Sequence, residues 1–134
     1  MTQVGITEAQ MFVDRLPHCR ELNISVVDTG IAQARMSLPY DKRLIGDPET
    51  GVIHGGPVSV LMDTCAGASV WMHPENGGPL ATLDLRIDYM RAAKPGDSIT
   101  AEAKCFHVTR TVAFIRVRAW DSDTSVPVAT ASGA

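Results

Sequence analysis

No apolar run in this chain approaches the ~20 residues that a bilayer-spanning helix needs. The opening residues Met1-Thr2-Gln3-Val4-Gly5 supply neither a basic n-region nor an apolar h-region. These absences argue against an integral membrane protein and predict a cytoplasmic one. Cysteine is scarce and unpaired: Cys19, Cys65 and Cys105 are widely spaced, odd in number and contain no CxxC. A disulfide framework is excluded, and the adjacent His18 and Cys19 lack the second ligand pair that a zinc site would require. Basic charge is not in excess either. The net charge of −3 provides no global field for nucleic acid or a membrane surface, so an anionic ligand needs a local cluster of Lys and Arg. There is no internal repeat, linker or low-complexity tract. Residues 1–134 therefore read as one domain, long enough to bury a real core.

One stretch stands out against this background. Val52-Ile53-His54-Gly55-Gly56-Pro57 leads into Val58-Ser59-Val60-Leu61-Met62-Asp63-Thr64-Cys65-Ala66-Gly67-Ala68-Ser69-Val70-Trp71-Met72. The second part reads as a helix that is apolar on nearly every side, with Pro57 in its first turn, and such helices are buried. Asp63 is its only charged residue. A buried carboxylate is expensive unless paired, hydrogen-bonded or neutralised, which marks Asp63 as a candidate for chemistry. Cys65 and Cys105 read as small core hydrophobes.

Around this helix the pattern is mostly strand. Thr7-Glu8-Ala9-Gln10 has the form of a capping box, predicting a short helix through Met11, Phe12 and Leu16 that ends before Pro17. Ala32, Ala34, Met36 and Leu38 alternate with polar residues, as in a half-buried strand. Residues 39–51 are rich in breakers and read as a loop, and the run around Asn76-Gly77-Gly78 as the turn that ends the long helix. Further alternating runs centre on Leu83–Tyr89, Ile99–Cys105 and Ala113–Ala119, and a last strand covers Val126–Ser132, weakened by Pro127. Lys94-Pro95-Gly96-Asp97 is placed for a type II turn. The sum is an α+β fold with about five strands, mostly joined in sequence, forming an antiparallel sheet wrapped around one central helix. One helix covers only part of such a sheet, so the rest is expected to meet another copy of the chain.

The start of the long helix offers a complementary chemistry. Glycines at 55 and 56 admit a ligand close to the backbone, and the first N–H groups of a helix lack partners and carry the positive end of its dipole. They can hold an anion or polarise a carbonyl, while Asp63 supplies a base or nucleophile. Together these suit attack on an acyl group. Gly55 and Asp63 are eight residues apart, ~12 Å along one helix, and one reacting carbonyl cannot easily reach both. Two antiparallel copies across a two-fold axis would bring the helix start of one chain to Asp63 of the other. Plainer readings stay open: His54 can simply hold its loop, and Asp63 can be a structural carboxylate.

The His-Gly-Gly sequence, the Asp seven residues after its second Gly, and the run Thr82-Leu83-Asp84-Leu85-Arg86-Ile87-Asp88-Tyr89-Met90-Arg91-Ala92-Ala93-Lys94-Pro95-Gly96-Asp97 together resemble the hot-dog-fold thioesterases. The nearest branch is the one related to phenylacetate-degradation thioesterases, and the likeness spans nearly the whole chain. It implies hydrolysis of an acyl-coenzyme A thioester with no metal or redox cofactor, while the ~12 Å separation along the helix and the single covering helix predict a homo-oligomer, dimer or tetramer. On this chain Gly55 would offer its N–H to the thioester oxygen, with His54 and Gly56 beside it. Asp63 would be nucleophile or general base, and Thr82 would help orient water. Relatives often carry Asn about six residues before the motif's His. Here that position is Pro48; either the neighbouring Asp47 substitutes or the contact is missing. Coenzyme A is polyanionic, which makes Arg91, Lys94 and Arg110, at strand ends and turns, candidates for its phosphates. The acyl end would meet Met62, Trp71, Met72 or Met90. The alternative function is an acyl-CoA binding module without catalysis. Hydratases of this fold use a His paired with an acid in patterns absent here.

Overall fold

The computed structural model describes residues 3–76 and 78–134; Met1, Thr2 and Gly77 lie outside the described residues. Two helices open the chain, α1 (Gln3–Asp14) and α2 (Pro17–Glu21). The helix α1 is already running at Gln3, so Thr7 is an interior residue and the expected capping-box start at Thr7 is overturned. Pro17 does not only end a helix. It occupies the first turn of α2, where its missing N–H costs no hydrogen bond.

Six strands form the main sheet: β1 (Ser25–Gly30), β2 (Gln33–Leu38), β5 (Leu85–Tyr89), β6 (Ile99–Val108), β7 (Ala113–Trp120) and β8 (Ala129–Gly133). Its order is β1-β2-β6-β7-β8-β5, antiparallel in every pair. The sequential hairpin reading holds for β1–β2 and for β6–β7–β8. It fails for β5, which pairs with β8 at the far edge rather than with β6. Leu83 precedes the strand. The last strand begins at Ala129, after Pro127, which cannot donate to the ladder.

Between β2 and β5 lies α3 (Gly55–Trp71), packed across β2, β6 and β7. Its side chains Leu61, Met62 and Cys65 are completely buried, as are Met36, Ala101 and Ala119 on the strands it covers. Small residues along β6 and β7 let the helix approach the sheet closely. The Cys65 thiol, pushed up to about 12 by burial, donates to the carbonyls of Ala34 (3.3 Å) and Ala101 (3.5 Å). The opposite side of α3 is not buried in the chain: Asp63 and Trp71 are exposed. The expectation of a buried Asp63 is therefore corrected, because an apolar helix lying on a sheet hides only one face.

The segment read as a loop over 39–51 has structure of its own. A 3-10 turn (Lys42–Leu44) leads into a small ribbon, β3 (Ile45–Asp47) with β4 (Val52–Ile53). This ribbon delivers the chain to the start of α3. Among the described residues no helix is long and apolar enough to cross a membrane.

Candidate active site

His54 is the N-cap of α3, and its Nδ1 accepts the Gly56 N–H at 2.8 Å. An imidazole nitrogen that accepts here leaves the ring proton to Nε2. The cap is built by close approach. A Cβ at Gly46 would lie 2.8 Å from His54 Cα, and one at Gly56 would lie 3.1 Å from His54 Nδ1. With Gly56 satisfied, no acceptor among the described residues takes the Gly55 N–H, which stands at the positive end of a seventeen-residue helix. Tyr89, at the end of β5, holds this turn from the other side. Its hydroxyl donates to the Gly55 carbonyl at 3.1 Å, and its ring lies 3.3 Å from where a Gly55 Cβ would be. The alternation over Leu83–Tyr89 already put Tyr89 on the strand face shared with Ile87; its link to Gly55 required the fold.

Two turns along α3, Asp63 accepts a hydrogen bond from the Thr82 hydroxyl, Oγ1 to Oδ1, at 2.8 Å. Nineteen residues separate them in sequence, and the chain returns over α3 before entering β5 to bring them together. The bond fixes one carboxylate oxygen and leaves Oδ2 open to solvent. Asp63 and Thr82 line two clefts, about 300 and about 510 Å³, on either side of the 79–82 segment. His54, Gly55 and Gly56 line a different cleft of about 620 Å³, with Tyr89 and Arg91. The two regions share no lining residue. Within one chain, then, Gly55 and Asp63 do not face a common substrate.

The other candidates are scattered. Asp47 is committed to its own turn: it accepts from the Glu49 N–H (3.0 Å) and the Thr50 hydroxyl (2.8 Å). The Thr50 bond, with the Glu49 N–H, holds its carboxyl below the usual range. Arg91 borders the His54 cleft but is fully engaged. It grips Asp121 with two 2.7 Å bonds and reaches the carbonyls of Val126, Ala92 and Asp123. Asp121 is buried, also accepts from the Lys94 and Asp123 N–H groups, and is held well below the carboxylate range chiefly by Arg91. Arg91 therefore clasps the ends of β5 and β7 together. The side chains of Lys94 and Arg110 are exposed and without an ion-pair partner among the described residues, at opposite ends of β6. That strand has ten residues, ~30 Å. Of the apolar candidates, Trp71 lines the larger Asp63 cleft, Met62 is core, Met72 is half-buried and Met90 faces outward.

The chain as a whole resembles known proteins. Residues 50–128 match the family model of the thioesterase superfamily. The chain belongs to the thioesterase superfamily. This thioesterase-family chain is 24% identical over 127 residues to YigI, a medium/long-chain acyl-CoA thioesterase of Salmonella typhimurium, covering 85% of this chain and 81% of that one. A Pseudomonas aeruginosa protein of solved structure superposes with a TM-score of 0.85 at 37% identity, covering 96% of each chain. The Escherichia coli PaaI protein, from the phenylacetic acid degradation operon, superposes with a TM-score of 0.83 at 18% identity, covering 96% of this chain and 89% of that one. At that identity the likeness concerns the fold, which is the hot-dog fold: an antiparallel sheet around a central helix.

Proposed function

We propose that this thioesterase-family chain hydrolyses acyl-coenzyme A thioesters, giving a free acid and coenzyme A, at a site shared between two copies. The observation that carries this reading is the Asp63 carboxylate, held by the Thr82 hydroxyl at the wall of an apolar cleft. The open Gly55 N–H polarises the thioester carbonyl and holds the oxyanion as it forms. The partner's Asp63 acts on the carbonyl carbon, directly or through a water that it deprotonates, and Thr82 keeps it aimed. In the water route the C–S bond breaks, the thiolate takes the proton that Asp63 removed, and water leaves its oxygen and other proton in the acid. In the direct route the C–S bond breaks as an acyl anhydride forms on Asp63; water then cleaves that anhydride, freeing the acid and the Asp63 carboxylate and giving its second proton to the thiolate.

The course of β5 supports the shared site. This strand starts beside the Asp63 cleft, which Leu85 lines, and ends at Tyr89 against Gly55. It is an edge strand, and exposed edges invite pairing. Leu83, Tyr89 and Met90 stand exposed along or beside it, at 71%, 54% and 56%. Antiparallel pairing of β5 with its copy sets the Gly55 end of one chain against the Asp63 end of the other. The same operation brings the Arg110 end of one chain toward the Lys94 end of its partner, gathering basic charge for the coenzyme A phosphates. Free-thiol release from a panel of aryl- and fatty-acyl-CoAs tests the reading. Release from at least one member is expected, and release from none overturns it.

A further inference from the structure

Gly67 lies within α3, one helical turn beyond Asp63. Glycine inside a helix costs about 1 kcal/mol relative to alanine, so its presence calls for a reason. Backbone conformation supplies none, since Gly67 is not among the left-handed glycines. Packing within the chain supplies none either. A Cβ added at 67 would meet no atom within 4 Å, whereas one at Gly46, Gly55 or Gly56 would lie 2.8, 3.3 or 3.1 Å from its nearest neighbour. The chain thus leaves open a space that its own atoms do not fill.

That space is continuous with the candidate site. Gly67 lines both clefts that Asp63 and Thr82 border. Beyond it the larger cleft is walled by Leu16, Phe12, Trp71 and Leu80, with the Phe12 and Trp71 rings stacked at 5.8 Å and 22°. Asp63 is the only charged residue among the described ones lining this cleft. An apolar pocket of about 510 Å³ suits an acyl group far larger than acetyl.

We propose that Gly67 is the specificity-determining position for the acyl group. The acyl chain runs from the carbonyl carbon at Asp63, over the bare backbone at 67, into the cleft between Leu16, Phe12, Trp71 and Leu80. The inference rests on the thioester-hydrolysis reading and names the part of the substrate that this cleft takes: a medium-length or aryl-bearing apolar acyl group. Side chains added at 67 should cut into that space in proportion to their size.

The test compares wild type, Gly67→Ala and Gly67→Leu on decanoyl-CoA and propionyl-CoA. It also measures calorimetric binding of the matching non-hydrolysable S-decyl and S-propyl thioethers. The decanoyl-to-propionyl ratio of kcat/KM should fall at least tenfold in Gly67→Leu and by less, but at least twofold, in Gly67→Ala. The thioether affinity ratio should follow. Melting of Gly67→Ala should hold or rise, because alanine is the better helix former. If Gly67→Leu does not fold, the Gly67→Ala ratio decides alone. Ratios unchanged from wild type, or both substrates falling in parallel, overturn the proposal. So does an oligomer lost in Gly67→Leu with selectivity intact, which would assign the space to a second copy. Wild-type protein that releases no thiol but discriminates the thioethers through Gly67 overturns the hydrolase reading and leaves the acyl path standing.

Discussion

Replacing Asp63 by Asn separates chemistry from stability. Asparagine keeps the shape of the side chain, and its Oδ1 can still accept the Thr82 hydroxyl that now bonds at 2.8 Å. The substitution removes the charge and the basicity. Losing a general acid–base group lowers turnover by roughly 10²–10⁴, which is about 2.7–5.4 kcal/mol on the barrier. Stability should change far less. Asp63 is exposed in the chain, so no buried charge is relieved, and exposed substitutions stay within about 0.5 kcal/mol. For 134 residues the unfolding entropy is about 0.28 kcal/mol/K, so Tm should move by no more than about 2 °C. The assay is thiol release from the best substrate of the panel, with thermal melting on the same preparation. Binding of a thioether analogue should persist, because the helix start and the basic residues are untouched. Near-normal turnover in Asp63→Asn would show that the carboxylate is structural and that the proposed mechanism is wrong.

Three further outcomes follow from the same geometry. Thr82→Ala, which removes the one hydrogen-bond partner of the carboxylate among the described residues, should lower kcat by about tenfold with little change in Tm, and Thr82→Ser should restore it; unchanged turnover would reduce Thr82 to a surface residue. Sedimentation should find a dimer or tetramer, and co-refolding inactive Asp63→Asn with Gly55→Pro, which deletes the helix-start N–H at a first-turn position whose backbone accepts proline once the Tyr89 ring gives way slightly, should recover about a quarter of wild-type activity; a fully active monomer, or no recovery, would contradict a shared site. Asp121 tests the Arg91 clasp by pH: its carboxyl is depressed below 3.8 in the folded chain, so its contribution is complete above that value and is lost as pH falls below it. Asp121→Asn should lower Tm by roughly 3–7 °C at neutral pH, with the two melting curves converging in acid; a constant difference down to pH ~2 would exclude the linkage.

Local pattern carried much of this molecule. Alternation marked β2, β6 and β7, and Lys94-Pro95-Gly96-Asp97 turns as expected, with the Asp97 N–H on the Lys94 carbonyl at 3.1 Å and Gly96 at φ +91°. The run from Pro57 to Met72 announced a long apolar helix and isolated Asp63 as its one charge, although the helix itself begins two residues earlier, at Gly55. These features depend on neighbours within a few residues, so side-chain type and spacing determine them. Tertiary structure decided what depends on long returns of the chain. Only the fold moved β5 to the far edge beside β8, because hydrogen-bond pairing partners are not encoded in periodicity. Only the fold set Thr82 against Asp63 and Tyr89 against Gly55, turned Arg91 from a candidate phosphate ligand into a clasp on Asp121, and kept Asp63 at the surface. The physical reason is shared: a helix apolar all round has no preferred face of its own, and the sheet that covers one side decides which residues the other side leaves for chemistry.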